Sequence, residues 1–256
     1  MQNKDKVLIV DDEVAIVELM GLYLKSDYEI LTAYNGQEAL DKVKSDKPDI
    51  ILLDVMMPDM NGYEVCRILK TSVETQFLPV IMVTALSGKD DRIKGIEVGA
   101  DEFLGKPVNR LELVTRVKSL LRIKHLQDKV LAERNEVMNY FDIANFAMIV
   151  VDADLRIHLV NKKCNDLFGF DEFELIGRDL MTALLAPECR EVVKENLQSV
   201  ISGVNDVSTF AERIIVCKDG TELSVRWFDA LLKDSEGNVT GMVLSGQNLS
   251  SCYGGE

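Results

Sequence analysis

The chain has 256 residues, of which 47% are hydrophobic and 28% charged, and its net charge is −14; that length suits about two domains, each with its own core. The acidic excess and the lack of any Lys/Arg-rich segment argue against nucleic acid or an anionic membrane surface as partner. No apolar stretch is long enough to span a bilayer or to act as a secretory signal, and five scattered cysteines without a CxxC pair read as reduced thiols in a cytoplasmic protein.

In chain order, four apolar runs in the first half each end on a residue suited to phosphate chemistry. Val7-Leu8-Ile9-Val10 leads into Asp11-Asp12, Ile50-Ile51-Leu52-Leu53 into Asp54, Val80-Ile81-Met82-Val83 into Thr84, and Glu102-Phe103-Leu104-Gly105 into Lys106-Pro107. Short runs of this kind read as strands buried on both faces, with helical periodicity between them. Alternating strand and helix predicts a parallel sheet with right-handed crossovers, so all strand C-termini share one edge. Three carboxylates, a hydroxyl and an ammonium are thereby expected in one pocket, at the edge where open sheets bind ligands. Such carboxylates need a shared proton or a cation, and Mg2+ with oxygen ligands suits them. Asp54 stands alone at the end of its run and is the candidate nucleophile; Asp11 and Asp12 form a pair better suited to metal. Taken singly, Asp12 also fits a helix N-cap, Thr84 a strand-end hydroxyl, Phe103 a core residue and Lys106 a solvated loop lysine.

These segments resemble the receiver domain of bacterial two-component response regulators. Val-Leu-Ile-Val-Asp-Asp-Glu at 7–13, Leu-Leu-Asp-Val-Met-Met-Pro at 52–58, Asn-Gly at 61–62, Val-Thr-Ala at 83–85 and Gly-Ala-Asp-Glu-Phe-Leu-Gly-Lys-Pro at 99–107 follow the family's order and spacing. The resemblance implies a doubly wound, flavodoxin-like α/β fold with a five-stranded parallel sheet. It further implies Asp54 as phosphoacceptor and Asp11, Asp12, Asp54 and the Met56 backbone carbonyl as Mg2+ ligands. Lys106 would contact the phosphoryl group, Thr84 and Phe103 would form the switch pair, and the bond before Pro107 would be cis. In such receivers the residues two places after the phosphoacceptor and two after the switch hydroxyl flank the path of the hydrolytic water. Here they are Met56 and Leu86, neither able to orient water, which predicts slow self-dephosphorylation. The expected activity is that of a phosphoacceptor rather than an enzyme, with self-phosphorylation from small donors.

From 111 to about 141 there is no Gly or Pro, and apolar residues continue at helical spacing, which predicts that the fifth receiver helix runs on as a linker. Ile123, Val130 and Val137 lie seven apart, with Leu126 and Tyr140 at complementary positions and Glu133 interrupting the seam. That fits a short parallel dimeric coiled coil; the alternative is a single amphipathic helix packed on its own domain.

The pattern then changes to antiparallel β. Strands are predicted at 147–151 and 157–160, around an Asp152-Ala153-Asp154 turn, and near 207–217, 221–232 and 239–249, with short helices after Asn161 and a longer one over 188–201. Ile-Val-Val-Asp at 149–152, Val-Asn at 160–161, Leu-Phe-Gly-Phe at 167–170, Glu-Leu-Ile-Gly-Arg at 174–178, Lys-Asp-Gly-Thr at 218–221 and Gly-Asn-Val-Thr-Gly at 237–241 resemble a PAS domain, an α+β fold with an antiparallel sheet. Flavin is disfavoured, because the stretch near Gly177 and Arg178 has no Asn-Cys-Arg motif. Haem is disfavoured too: the two histidines are His125 in the linker and His158 in an early strand, and a haem iron needs an axial ligand. A small apolar ligand, or none, stays open.

The expected organisation is a receiver over 1–121, a helical linker over 122–141, a PAS domain over 142–250 and a tail over 251–256. The function expected is phosphorelay signalling, with a sensor histidine kinase or histidine phosphotransfer protein as partner and a homodimer formed through linker and PAS. The alternative makes the PAS half a ligand sensor, or the whole chain the N-terminal part of a longer hybrid histidine kinase, with the receiver as modulator. A phosphatase forming an aspartyl-phosphate intermediate would want a second acid at position 56, which is Met.

Overall fold

The computed structural model describes residues 4–85, 89–206 and 210–249. They form two compact units, Met1–Ala132 and Glu133–Glu256. In the first, strands β1 (Lys6–Val10), β2 (Glu29–Ala33), β3 (Ile50–Asp54), β4 (Val80–Thr84) and β5 (Glu102–Gly105) alternate with helices α1 (Val14–Leu24), α2 (Gly36–Asp46), α3 (Gly62–Thr71), α4 (Lys89–Glu97) and α5 (Arg110–Ile143). The strands are parallel in the order β2-β1-β3-β4-β5.

The apolar runs are continuous because both sheet faces are covered. Leu8, Val10, Ile51, Leu53, Val80 and Met82 point to one face, against Leu40 and Val43 of α2 and Val65 and Leu69 of α3. Val7, Ile9, Ile50, Leu52, Ile81 and Val83 point to the other, against Val17 and Met20 of α1 and Leu113, Val117 and Leu121 of α5. Successive side chains of a strand alternate between faces, so every residue of β3 and β4 must be apolar or internally satisfied. Strand β2 stands outside this rule. It lies at the sheet edge and only Ala33 of its five residues is buried, so it has no apolar run to announce it.

Helix α5 is continuous for 34 residues, as the absence of Gly and Pro predicted. Leu113, Val117 and Leu121 are buried against the sheet, whereas further along Ile123, Leu126, Val130, Val137 and Tyr140 are all exposed. Beyond the receiver core the helix is therefore not packed along its apolar seam.

The second unit is a five-stranded antiparallel sheet, β6 (Ala147–Asp152), β7 (Ile157–Val160), β8 (Ala211–Val216), β9 (Glu222–Lys233) and β10 (Val239–Asn248), in the order β7-β6-β10-β9-β8. Helices α6 (Lys162–Phe168), α7 (Glu172–Leu175), α8 (Leu180–Leu184) and α9 (Arg190–Ile201) intervene. One sheet face carries Ile149, Val151, Ile215, Val225, Trp227, Met242 and Leu244 into a core shared with Phe168, Leu184 and Leu197. Strand β8 runs from Ala211 to Val216; residues 207–209, at the start of the strand expected near 207–217, lie outside those described, as does the tail from 250 onward. No helix among the described residues is long and apolar enough to cross a membrane.

Candidate functional site

The chain leaves β1 for β2 on one side and returns to β3 on the other, so strand order reverses between β1 and β3. A crevice opens at the C-terminal ends of strands at such a reversal. Val10 and Leu53 are register partners, which sets Asp11 and Asp54 side by side at its mouth. Both are almost wholly buried, at 0% and 1% exposure.

Lys106 is the counter-charge. Its Nζ lies 2.8 Å from Asp11 Oδ2 and 2.8 Å from Asp54 Oδ1, carried there by the Lys106 N–H donating to the Thr84 carbonyl at 2.8 Å. The Lys106–Pro107 bond is cis. The remaining oxygens are held by local backbone: Met56 N–H donates to Asp54 Oδ2 at 2.9 Å and Glu13 N–H to Asp11 Oδ1 at 3.0 Å. Asp11 Oδ2, though beside the ammonium, has no well-directed hydrogen bond. Asp12 is exposed, and the N-cap of α1 falls on Glu13, one residue further on, so Asp12 is not that cap. One carboxylate oxygen from each of Asp11, Asp12 and Asp54 fits within a 4.8 Å cluster. Three carboxylates that can each bring one oxygen to a common point match the donor set of a hard divalent cation.

Burial pushes the Asp54 carboxyl above the ordinary aspartate range, against the pull of Lys106 and the Met56 N–H, and Asp11 adds to the push. For Lys106, burial acts downward, but its contacts with Asp11 and Asp54 outweigh it and hold the ammonium above the usual lysine value. A carboxyl with a raised native pKa favours the fold in its protonated form. That contribution is complete below the ordinary aspartate range and is lost as pH rises through the raised value. In metal-free buffer at neutral pH, Asp54→Asn is therefore expected to melt above wild type, with the gap closing on acidification below the ordinary aspartate range. A gap that widened in acid would contradict burial as the cause.

The other residues singled out lie around this centre. Thr84 is buried at the end of β4, with Gly105 as its register partner across on β5, and Phe103 is half-buried opposite Met82. Met56 is 63% exposed, and Leu86 lies outside the described residues. Asn61 and Glu64 form a capping box that starts α3 beneath Asp54. One structural role escaped the motif reading, that of Gly62. A Cβ there would stand 2.2 Å from the Asp54 carbonyl oxygen, so α3 approaches the end of β3 only because position 62 has no side chain.

Residues 7–118 match the family of the response regulator receiver domain and residues 141–251 that of the PAS fold. The chain joins a response regulator receiver domain to a PAS domain. The receiver domain carries the likeness to curated proteins. The chain is 48% identical over 126 residues to the response regulator PleD of Caulobacter vibrioides, which covers 49% of the chain and 28% of PleD. It is 40% identical over 135 residues to the alkaline phosphatase synthesis transcriptional regulatory protein PhoP of Bacillus subtilis, covering 52% and 54% of the two chains. The chain thus spans about half or less of the length of these relatives. Among solved structures, the chemotaxis response regulator CheY4 of Vibrio cholerae is 33% identical, covers 46% of the chain and 99% of its own, and gives a TM-score of 0.44.

The PAS domain has a different interior. Leu180, Leu185, Val193, Leu197, Arg213, Ile215, Trp227 and Leu244 line a residual cavity of about 10 Å3, room for about one water molecule. His158 is exposed on β7 and pairs with Asp152 at 3.1 Å. Among the described PAS residues, Asn161 is fully buried and its side chain makes four hydrogen bonds to backbone groups. Its side-chain oxygen accepts from the Met148 and Cys164 N–H groups, and its amide donates to the carbonyls of Phe141 and Phe146. It ties the last turns of α5 to the first strand and first helix of the PAS fold.

Proposed function

We propose that this protein is a phosphorelay response regulator that accepts a phosphoryl group on Asp54 from a sensor histidine kinase or a histidine phosphotransfer protein. The observation that carries this reading is the buried Asp54 carboxylate, gripped by Lys106 and adjacent to Asp11 at the strand-order reversal. Asp11, Asp12, Asp54 and the Met56 carbonyl would hold Mg2+, which would neutralise phosphoryl oxygens during transfer. Asp54 Oδ attacks phosphorus in line as the P–N bond of the donor phosphohistidine breaks, and Lys106 stays as the cation beside the new aspartyl phosphate. Small phosphodonors would serve the same nucleophile.

The added phosphoryl carries about two negative charges. Thr84 then turns to donate its hydroxyl to a phosphoryl oxygen, and the population shifts further toward molecules with the Phe103 ring turned inward beneath α4. The signal reaches the PAS domain along α5. Two contacts support that path at the receiver end, Lys124 with Asp49 at 3.5 Å and His125 with Asp5 at 2.9 Å. The grip of Asn161 on the Phe141 carbonyl supports it at the other. The exposed seam of α5 fits a homodimer through linker and PAS, the PAS domain serving as a sensory or dimerisation module.

Light scattering on wild type and Asp54→Ala, with and without Mg2+ and beryllofluoride, tests this. A change of mass or shape in wild type alone is expected. A constant dimer in both proteins would make the PAS domain a constitutive scaffold whose signal enters elsewhere. The second expected result is kinetic. With Met56 and Leu86 unable to orient water, the aspartyl phosphate should persist for minutes or longer, and loss within seconds would refute this.

A further inference from the structure

Gly95 is a buried glycine in the interior of α4. Its backbone does not demand glycine, unlike Gly99, whose φ is +89°. A helix-interior glycine is less favourable than alanine, so something other than conformation accounts for its presence here. A Cβ on Gly95 would stand 2.4 Å from Cε1 and 2.5 Å from Cζ of Phe103, and 3.5 Å from Cε1 of Tyr63 on α3. Carbon atoms rest about 3.5–4.0 Å apart, so the Phe103 ring fills the space that any side chain at position 95 would need.

Strand geometry ties that notch to the switch. Met82 and Thr84 are two apart on β4 and therefore share a sheet face. Phe103 is the register partner of Met82 and packs against the same core cluster, and Gly105, opposite Thr84, contributes no side chain. Thr84 and Phe103 thus stand one step apart on the face that α3 and α4 cover.

We propose that Gly95 is a positioning residue, the seat of the switch aromatic. Its missing side chain makes room for the Phe103 ring under α4 and sets how readily the receiver reaches the state in which the ring is inward. The proposal rests on the reading of Thr84 and Phe103 as the switch pair. With a methyl group at 95 the ring must leave this position, so the inward state is disfavoured even when Asp54 is modified. Phosphoryl chemistry at Asp54 and the position of α4 are then uncoupled at one side chain.

The test uses the full chain with 13C-labelled Phe rings, the Phe103 signal being assigned from Phe103→Leu. In wild type, the ring should show proximity to the Gly95 Hα protons and should respond to Mg2+ with beryllofluoride. In Gly95→Ala, the Phe103 signal should move before any addition, and half-saturation by beryllofluoride should need about ten-fold more, a usual size for coupling between two sites. In the Phe103→Leu background the same Gly95→Ala change should leave half-saturation unaltered. An unmoved ring signal in Gly95→Ala, or an equal loss in the Phe103→Leu background, overturns the proposal. Should Gly95→Ala not fold, recovery of folding in Gly95→Ala/Phe103→Leu supports the seat and failure of both overturns it. Failure of the switch reading is seen separately, as a wild-type ring signal that ignores beryllofluoride or answers it equally in Asp54→Ala. The displacement of the ring in unliganded Gly95→Ala still decides the role of Gly95 in that case.

Discussion

Lys106→Met is expected to lower the stability of the receiver domain by about 3 kcal/mol in the presence of a chelator, the low end of the cost of breaking a buried ion pair. The low end applies because the Lys106 side chain retains 16% exposure and water can reach part of the site. Its removal leaves Asp11 and Asp54, both nearly inaccessible, facing each other with no cation between them. Like charges at close range cannot both stay ionised without one. Of a total stability on the order of 5–15 kcal/mol, the loss is large, a fall of roughly 10 °C in the receiver melting transition. Millimolar Mg2+ should restore more stability to the variant than to wild type, because a cation bound at the proposed Asp11, Asp12 and Asp54 site would supply the charge that Lys106 no longer does. Adding Asp54→Asn to Lys106→Met should also recover part of the loss, since one of the two opposed charges is then gone. Calorimetry in chelator and in Mg2+ decides it: a variant that melts with wild type in chelator, or gains no more than wild type from Mg2+, would sink the account of the site as a charge-balanced cluster.

The second large effect belongs to the PAS domain. Arg213 on β8 and Asp229 on β9 pair across the inner face of the sheet, with side-chain exposures of 6% and 5%. The guanidinium engages both carboxylate oxygens, one of them at 3.1 Å. Asp229→Ala strands a buried guanidinium and should cost about 3–5 kcal/mol. Replacing both members with apolar residues, as in Arg213→Met/Asp229→Leu, should be near neutral or stabilising, because neither desolvation penalty is then incurred. Trp227 is the only tryptophan of the chain and lies in this core, so its fluorescence follows PAS unfolding without a receiver signal. Urea midpoints of the two singles and the double form the test. A double variant worse than Asp229→Ala would mean that the pair is worth more than the apolar packing that could replace it.

Much of this architecture is written locally in the chain. Residues 7–10, 50–53 and 80–83 are apolar at every position because helices cover both sheet faces, and that pattern is visible without coordinates. The residues after each run, Asp11, Asp54, Thr84 and Lys106, gather at one edge simply because the strands are parallel. The continuity of α5 follows from 34 residues free of helix breakers, and the PAS strands from alternation between turn signals. Strand β2 was not legible, because an edge strand with one buried residue has no periodicity stronger than a loop's.

Other features depend on distance across the fold. Arg213 and Asp229 are charged residues at inward positions of two strands, and neither position by itself says that the other completes it. Gly62 and Gly95 look alike in sequence, each a glycine at the start or in the middle of a helix. One admits the Asp54 carbonyl and the other the Phe103 ring. Whether Asp54 is forced above its ordinary pKa is likewise decided by the depth of its burial and by the competing pull of Lys106, 52 residues away along the chain. The sequence by itself determined the strands, the helices and the end of the sheet on which the chemistry collects, because those follow from periodicity and from the direction of the chain. Only the tertiary structure decided which buried charges neutralise each other and which glycines make room for a neighbour, because desolvation and close packing depend on every atom around a group and not on the residues beside it.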